Sequence, residues 1–166
     1  ANDAQASVFA RPSISVKLSA LHPRYEYAQR ERVFAELLPI IAALAHEARA
    51  QRIGMTIDAE EAERLELSLE LFARLRSAAN LADWHGLGLA LQAYQKRARA
   101  VVGFVAGLAD RTATRIPVRL VKGAYWDTEI KRAQVQGLAG YPVFTRKAHT
   151  DICYLACARA LLEAGE

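Results

Sequence analysis

Short apolar runs of aliphatic and β-branched residues alternate along this chain with longer stretches whose apolar positions recur at helical spacing. Such alternation predicts βα units on a parallel sheet. The first run, Ile14 to Leu18, is followed after His22-Pro23 by a helix over about Tyr25 to Gln51, with Val33, Leu37, Ile40, Ile41 and Leu44 on one face. Pro39 lies inside it, removes a backbone donor and predicts a kink or a split. The second run, Ile53 to Ile57, precedes a helix faced by Leu65, Leu69 and Phe72, with Glu60, Glu61 and Glu63 near its positively polarised start. Asn80 to His85 reads as loop. The third run, Leu87 to Leu91, leads to a helix over about Gln95 to Arg111. The fourth, Ile116 to Val121, leads to a helix from Trp126 to Gln136, and a last helix spans about Thr145 to Ala164.

The intervals between successive run ends, from Lys17 to Asp58 to Gln92 to Arg119, are 41, 34 and 27 residues. A (βα)8 barrel uses roughly 31 per unit and ~250 in all, so the period fits and the length of 166 does not. Two architectures follow: a small doubly wound sheet, or an α/β fragment amounting to about half of a (βα)8 TIM-like barrel with parallel strands. On the second, residues 1–13 are an N-terminal extension and 14–166 a partial barrel of about four βα units. The units share no residue pattern beyond strand then helix, which excludes a solenoid repeat.

With 52% hydrophobic and 24% charged residues the chain can bury a core, and disorder is not expected. No apolar run approaches eighteen residues and no basic, apolar leader opens the chain, which predicts a soluble, cytoplasmic protein. The two cysteines, Cys153 and Cys157, stand one helical turn apart and form no disulfide framework. Basic and acidic residues number 22 and 18 and are interspersed, so the net charge of +4 names no partner. Lys96, Arg97 and Arg99 lack interleaved aromatics and read as a solvated helix face, so no nucleic acid is expected. His22, His46, His85 and His149 lack metal-ligand spacing, read as surface or loop residues, and no metal is expected. Neither G-x-G-x-x-G nor a P-loop occurs.

In parallel α/β folds ligands bind at the carboxyl ends of the strands. The residues there are Lys17, Asp58, Gln92 and, around the fourth run, Arg119 and Lys122: three cations, one carboxylate and one amide, a polar floor suited to an anionic ligand. Arg119 stands inside an aliphatic strand, where burial without a partner is costly. In Lys122-Gly123-Ala124-Tyr125-Trp126-Asp127, small residues separate a cation from two aromatics at a strand-to-helix turn. They permit a flat ligand to approach the backbone, with Tyr125 and Trp126 stacking on it or packing in the core. Thr145-Arg146-Lys147 reads as a capped helix start that either holds a phosphate or faces solvent.

Five blocks of the chain, in order, resemble the proline dehydrogenase domain of bacterial proline utilization A. They are Ser15 to Tyr25 (SVKLSALHPRY), Ile57 to Glu61 (IDAEE), Gln92 to Arg97 (QAYQKR), Arg119 to Asp127 (RLVKGAYWD) and Tyr141 to Lys147 (YPVFTRK). The resemblance implies a (βα)8 flavoenzyme, an oxidoreductase of proline catabolism that oxidises L-proline to 1-pyrroline-5-carboxylate by hydride transfer to N5 of FAD. The electrons pass to a quinone, with peripheral attachment to the membrane possible for the parent enzyme. It implies that Lys17 holds the proline carboxylate, that Asp58 belongs to the substrate pocket and that Tyr125 packs on the substrate. Gln92, Arg119, Lys122, Gly123, Ala124 and Trp126 would line the flavin, and Thr145, Arg146 and Lys147 would reach its phosphates. By the same comparison the chain runs from the second barrel strand to the fifth helix, without the arginine pair that clamps the substrate. It is therefore expected to have weak or no activity alone, and as a half-barrel with open sheet edges and an uncovered apolar face to self-associate or pair with the missing half.

Overall fold

The structure, a computed structural model, describes residues 7–81 and 83–165. Of the predicted extension, residues 1–6 lie outside the described residues; from Ser7 a single turn over Val8–Ala10 leads into the first strand. Four strands, β1 (Ser13–Val16), β2 (Gly54–Ile57), β3 (Leu87–Gln92) and β4 (Val118–Val121), form one parallel sheet in chain order. Between them run α1 (Leu18–Leu21), α2 (Arg30–Ala50), α3 (Leu65–Arg76) and α4 (Ala98–Thr112), and after β4 come α5 (Trp126–Val135) and α6 (Lys147–Gly165).

Pleating divides each strand between two faces. Val16, Ile57, Leu89 and Val118 make one cross-sheet row, and with Met55, Leu87 and Leu91 they pack under Val33, Leu37 and Ile41 of α2, Leu67, Leu71 and Phe72 of α3, and Val101, Val102 and Val105 of α4. That layer is the core, and Leu37, Met55, Leu67 and Leu87 within it have no exposed surface. Alternate positions face the other way and, Val121 apart, are small or polar: Ser13 and Ser15 on β1, Thr56 on β2, Gly88, Ala90 and Gln92 on β3, Arg119 on β4. The uncovered face of the sheet is therefore not the apolar one that a half-barrel predicts. The large exposed apolar residues near the sheet's far end lie instead on α6, at Ile152, Leu155 and Leu162.

Three expectations about elements change. The long helix begins at Arg30, after a turn at Tyr27–Gln29, and runs through Pro39 without splitting; the packed face formed by Val33, Leu37 and Ile41 outweighs one missing backbone bond. In the stretch predicted as loop, a short 3-10 turn spans Ala79–Leu81, and Leu81 and Trp84 are buried in the core cluster. The helix that covers β4 is α6, which packs on α4 and β4. α5, predicted as the fourth unit's helix, sits instead over the carboxyl ends of the strands, where Glu129 reaches the loop after β2.

Candidate functional site

The row that follows Val16, Ile57, Leu89 and Val118 by one residue holds Lys17, Asp58, Ala90 and Arg119. Parallel register alone thus brings three of the predicted residues to one line across the sheet. Because β3 has Ala90 opposite Arg119 and Gly88 before it on this face, the Arg119 side chain can lie across it: Nη1 donates to Ser15 Oγ at 2.7 Å, and Nη2 is paired with Asp58 Oδ1. The arginine is not buried as its strand position implied; its side chain is 48% exposed, against 16% for Asp58. At that exposure an ion pair adds little stability, so its consequence is fixed geometry. Gly88 has no freedom to be anything larger, since a Cβ there would stand 2.3 Å from the Pro117 carbonyl oxygen.

Lys17 follows β1 and starts α1. Its ammonium is 6.0 Å from the centre of the Tyr125 ring, and the Tyr125 hydroxyl, with smaller contributions from Asp58 and Glu60, holds its pKa above the usual lysine value. Lys17, Asp58, Arg119 and Tyr125 are therefore neighbours, joined by the Arg119–Asp58 pair and by the Lys17 ammonium beside the Tyr125 ring.

Gln92, the last residue of β3, is buried and joins two loops. Its Nε2 donates to the Glu60 carbonyl at 2.8 Å and its Oε1 accepts from the Ala124 amide at 3.0 Å. Glu60, also buried, accepts from the Ser19 amide at 3.0 Å, from the Ser19 hydroxyl and from Arg64 at 2.9 Å, so the loops after β1, β2, β3 and β4 are tied into one rim. Glu129 adds a further tie from α5. It is 2% exposed and accepts from the Ala62 amide at 2.6 Å, and burial pushes its carboxyl up from the ordinary range.

Beyond this rim an open cleft of about 430 Å³ is lined by Tyr94, Lys122, Gly123, Trp126, Phe144, Thr145, Lys147 and Thr150, a size within the ~300–1,000 Å³ of ligand clefts. Trp126 is fixed by its indole N–H, which donates to the Phe144 carbonyl at 2.9 Å. Lys122 and Lys147 donate to the two oxygens of Asp151, each at 2.6 Å. The lysines hold the Asp151 pKa down, and Asp151 in turn raises that of Lys122.

Two readings of this region are corrected. Gly123, at φ +148°, does not leave its Cβ side free for a flat ligand, because a Cβ there would fall 2.3 Å from the Tyr94 ring; the tyrosine fills that space. α6 begins at Lys147, two residues after the predicted Thr145, so Thr145 stands on the cleft wall rather than at the helix start. Arg146 is exposed beside it. His22, expected at the surface, is in a loop but buried, bonded to Glu36 at 2.9 Å and accepting from the Arg24 amide at 3.2 Å. Residues that sequence reasoning did not single out are Ser15, Ser19, Glu129 and Asp151. Only Asp151 carried a visible signal, its spacing of four from Lys147.

Among the described residues no group of three or more His, Cys, Asp or Glu is placed to hold a metal ion, and no helix is long and apolar enough to cross a membrane. Comparison with known proteins gives one consistent answer. A family model described as Proline dehydrogenase matches residues 1–166. The Bifunctional protein PutA of Salmonella typhimurium is 56% identical over 155 residues, and that of Escherichia coli 55%, each alignment covering 93% of this chain and 12% of the relative. A crystal structure of Proline Utilization A from Bradyrhizobium japonicum superposes with a TM-score of 0.94 at 57% identity, over 96% of this chain and 16% of that one. The counterpart from Bdellovibrio bacteriovorus, inactivated by N-propargylglycine, superposes with a TM-score of 0.87 at 31% identity, over 90% and 16%. The chain thus spans about an eighth of the length of its curated relatives, and its sheet and helices match part of a TIM-like barrel.

Proposed function

Because the chain belongs to the proline dehydrogenase family, we propose that it forms one wall of the active site of an FAD-dependent proline dehydrogenase, with residues 14–166 as part of the (βα)8 barrel and 1–13 as an extension before it. The observation that carries the reading is the row of Lys17, Asp58 and Arg119 with Tyr125 above it, next to a cleft edged by Lys122 and Lys147.

The residues fit an amino acid on one side and a dinucleotide on the other. L-Proline carries a carboxylate, and Lys17, whose ammonium is kept charged by its neighbours, binds it. Tyr125 presents a ring edge and hydroxyl to the apolar pyrrolidine. On the cofactor side, Gln92 and Ala124 are already locked together, Trp126 walls the cleft, and Lys122 and Lys147, with Thr145 and Arg146, suit phosphate oxygens. FAD, when bound, supplies the acceptor for the hydride that leaves proline. Arg119 contributes a fixed positive charge on the rim, held by Asp58 and Ser15 before any ligand arrives; such preorganised charge lowers the barrier where negative charge develops. The product is 1-pyrroline-5-carboxylate and the onward acceptor a quinone, as in the family resemblance, with peripheral membrane contact belonging to the rest of the protein.

Steady-state oxidation of L-proline with an artificial electron acceptor tests this in the full-length protein that carries the chain. Lys17→Ala is expected to lower kcat/KM on the order of 100-fold, with a raised KM for proline, because a substrate without its carboxylate anchor is poorly oriented. Unchanged kinetics in that variant, or no proline oxidation by the unaltered protein, contradicts the assignment.

A further inference from the structure

Lys147 breaks a local rule. It is the first residue of α6, where unpaired amides already make the helix end positive and a cation is disfavoured. Its partner Asp151 lies four residues towards the carboxyl end, the less favourable order for such a pair. Helix formation does not explain the arrangement, and neither does surface stability: the lysine is 78% exposed and the aspartate 37%. What the arrangement does is bring two ammonium groups from different elements, one after β4 and one on α6, to the two oxygens of a single carboxylate.

We propose that Asp151 is a positioning residue: it sets the spacing and aim of Lys122 and Lys147 so that both ammonium groups meet the diphosphate of a bound dinucleotide at the mouth of the cleft. The inference rests on the flavin reading of that cleft and goes beyond it by giving a role to a residue that touches no ligand itself. Each ammonium has three N–H donors; Asp151 takes one from each and leaves the others for phosphate oxygens. Without the shared carboxylate the two like charges repel, and their long stems would have to be ordered at the moment of binding. Two lysines and one aspartate keep a net positive charge, so an anion is still attracted. Both lysine side chains are more than half exposed and within reach of a ligand.

Flavin-fluorescence titrations of the cofactor-stripped full-length protein test this, with FAD and riboflavin as the two probes. Asp151→Ala is expected to weaken FAD about tenfold and to leave riboflavin, which has no diphosphate, bound as before. Asp151→Asn, whose amide oxygen still accepts from an ammonium, is expected to fall between. FAD affinity that is unchanged or tighter in Asp151→Ala overturns the inference, as does an equal loss of FAD and riboflavin, which would mark a general structural role. If the unaltered protein takes up neither flavin, the reading of the cleft fails and this inference fails with it; if it binds FAD tightly and Asp151→Ala matches it, only the inference falls.

Discussion

Gly123 shows how one residue is fixed by what lies next to it. Its φ of +148° is a conformation that side chains rarely adopt, and the space a Cβ would need is filled by the Tyr94 ring 2.3 Å away. Tyr94 in turn is 2% exposed, and burial raises its phenol well above the usual value, so the ring stays neutral and cannot swing into water cheaply. Gly123→Ala therefore meets both backbone strain and overpacking, and should cost about 2–4 kcal/mol, seen as a lower urea midpoint with the slope unchanged. An alanine variant within about 0.5 kcal/mol of the original would show that the ring moves aside freely. The glycine was visible in the sequence as a strand-to-helix turn residue. What it packs against was not, because Tyr94 approaches from a neighbouring βα loop.

At the scale of elements, α5 matters because it carries Tyr125 at its start and is held to the segment after β2 by the Arg132–Glu63 ion pair and by Glu129. This carboxyl is buried, and its pKa is raised first by desolvation, with the Ala62 amide and Arg132 opposing. A group whose folded pKa lies above its unfolded value stabilises the fold most at low pH, and that contribution is lost as pH rises through the folded value. Glu129→Gln keeps the acceptor for the Ala62 amide and stays neutral throughout. The melting temperature of the unaltered protein minus that of Glu129→Gln should thus fall as pH rises from the ordinary carboxyl range through the raised folded value. A flat or rising difference would mean that Glu129 is not burdened by its burial.

Much of the fold was legible at this scale: four parallel strands follow from four aliphatic runs, whereas their sequential order, which separates a half-barrel from a doubly wound sheet, was not fixed by the runs alone. Nor was the exchange of α5 and α6 legible. On paper α5 has a clear apolar stripe and α6 almost none, and only packing against the sheet and α4 decides that α6 covers β4. The ties made by Glu60 to Ser19 and by Glu129 to Ala62 join positions 41 and 67 residues apart, and no local pattern announces them. Arg119 was legible as a candidate residue for the wrong reason: it is not a buried charge seeking a partner but a half-exposed one, paired with Asp58 and Ser15.

For the whole molecule, one organising fact is that the apolar row of the sheet faces its helices and the next row carries Lys17, Asp58 and Arg119, so a one-residue step along the strands separates the core from the candidate site. The loops after all four strands are then tied through Glu60, Gln92 and Glu129, and the cleft with its lysine pair continues from the same rim. The outward apolar residues Ile152, Leu155 and Leu162 belong to α6, the helix that packs against β4. The central claim, that this rim grips a flavin and proline side by side, is tested most directly by anaerobic titration of the flavin-loaded full-length protein with L-proline. Stoichiometric bleaching of the main visible flavin band, shifted to much higher proline concentration in Lys17→Ala, is the predicted result. A protein that takes up no FAD, or whose flavin band is unaffected by proline, would contradict it.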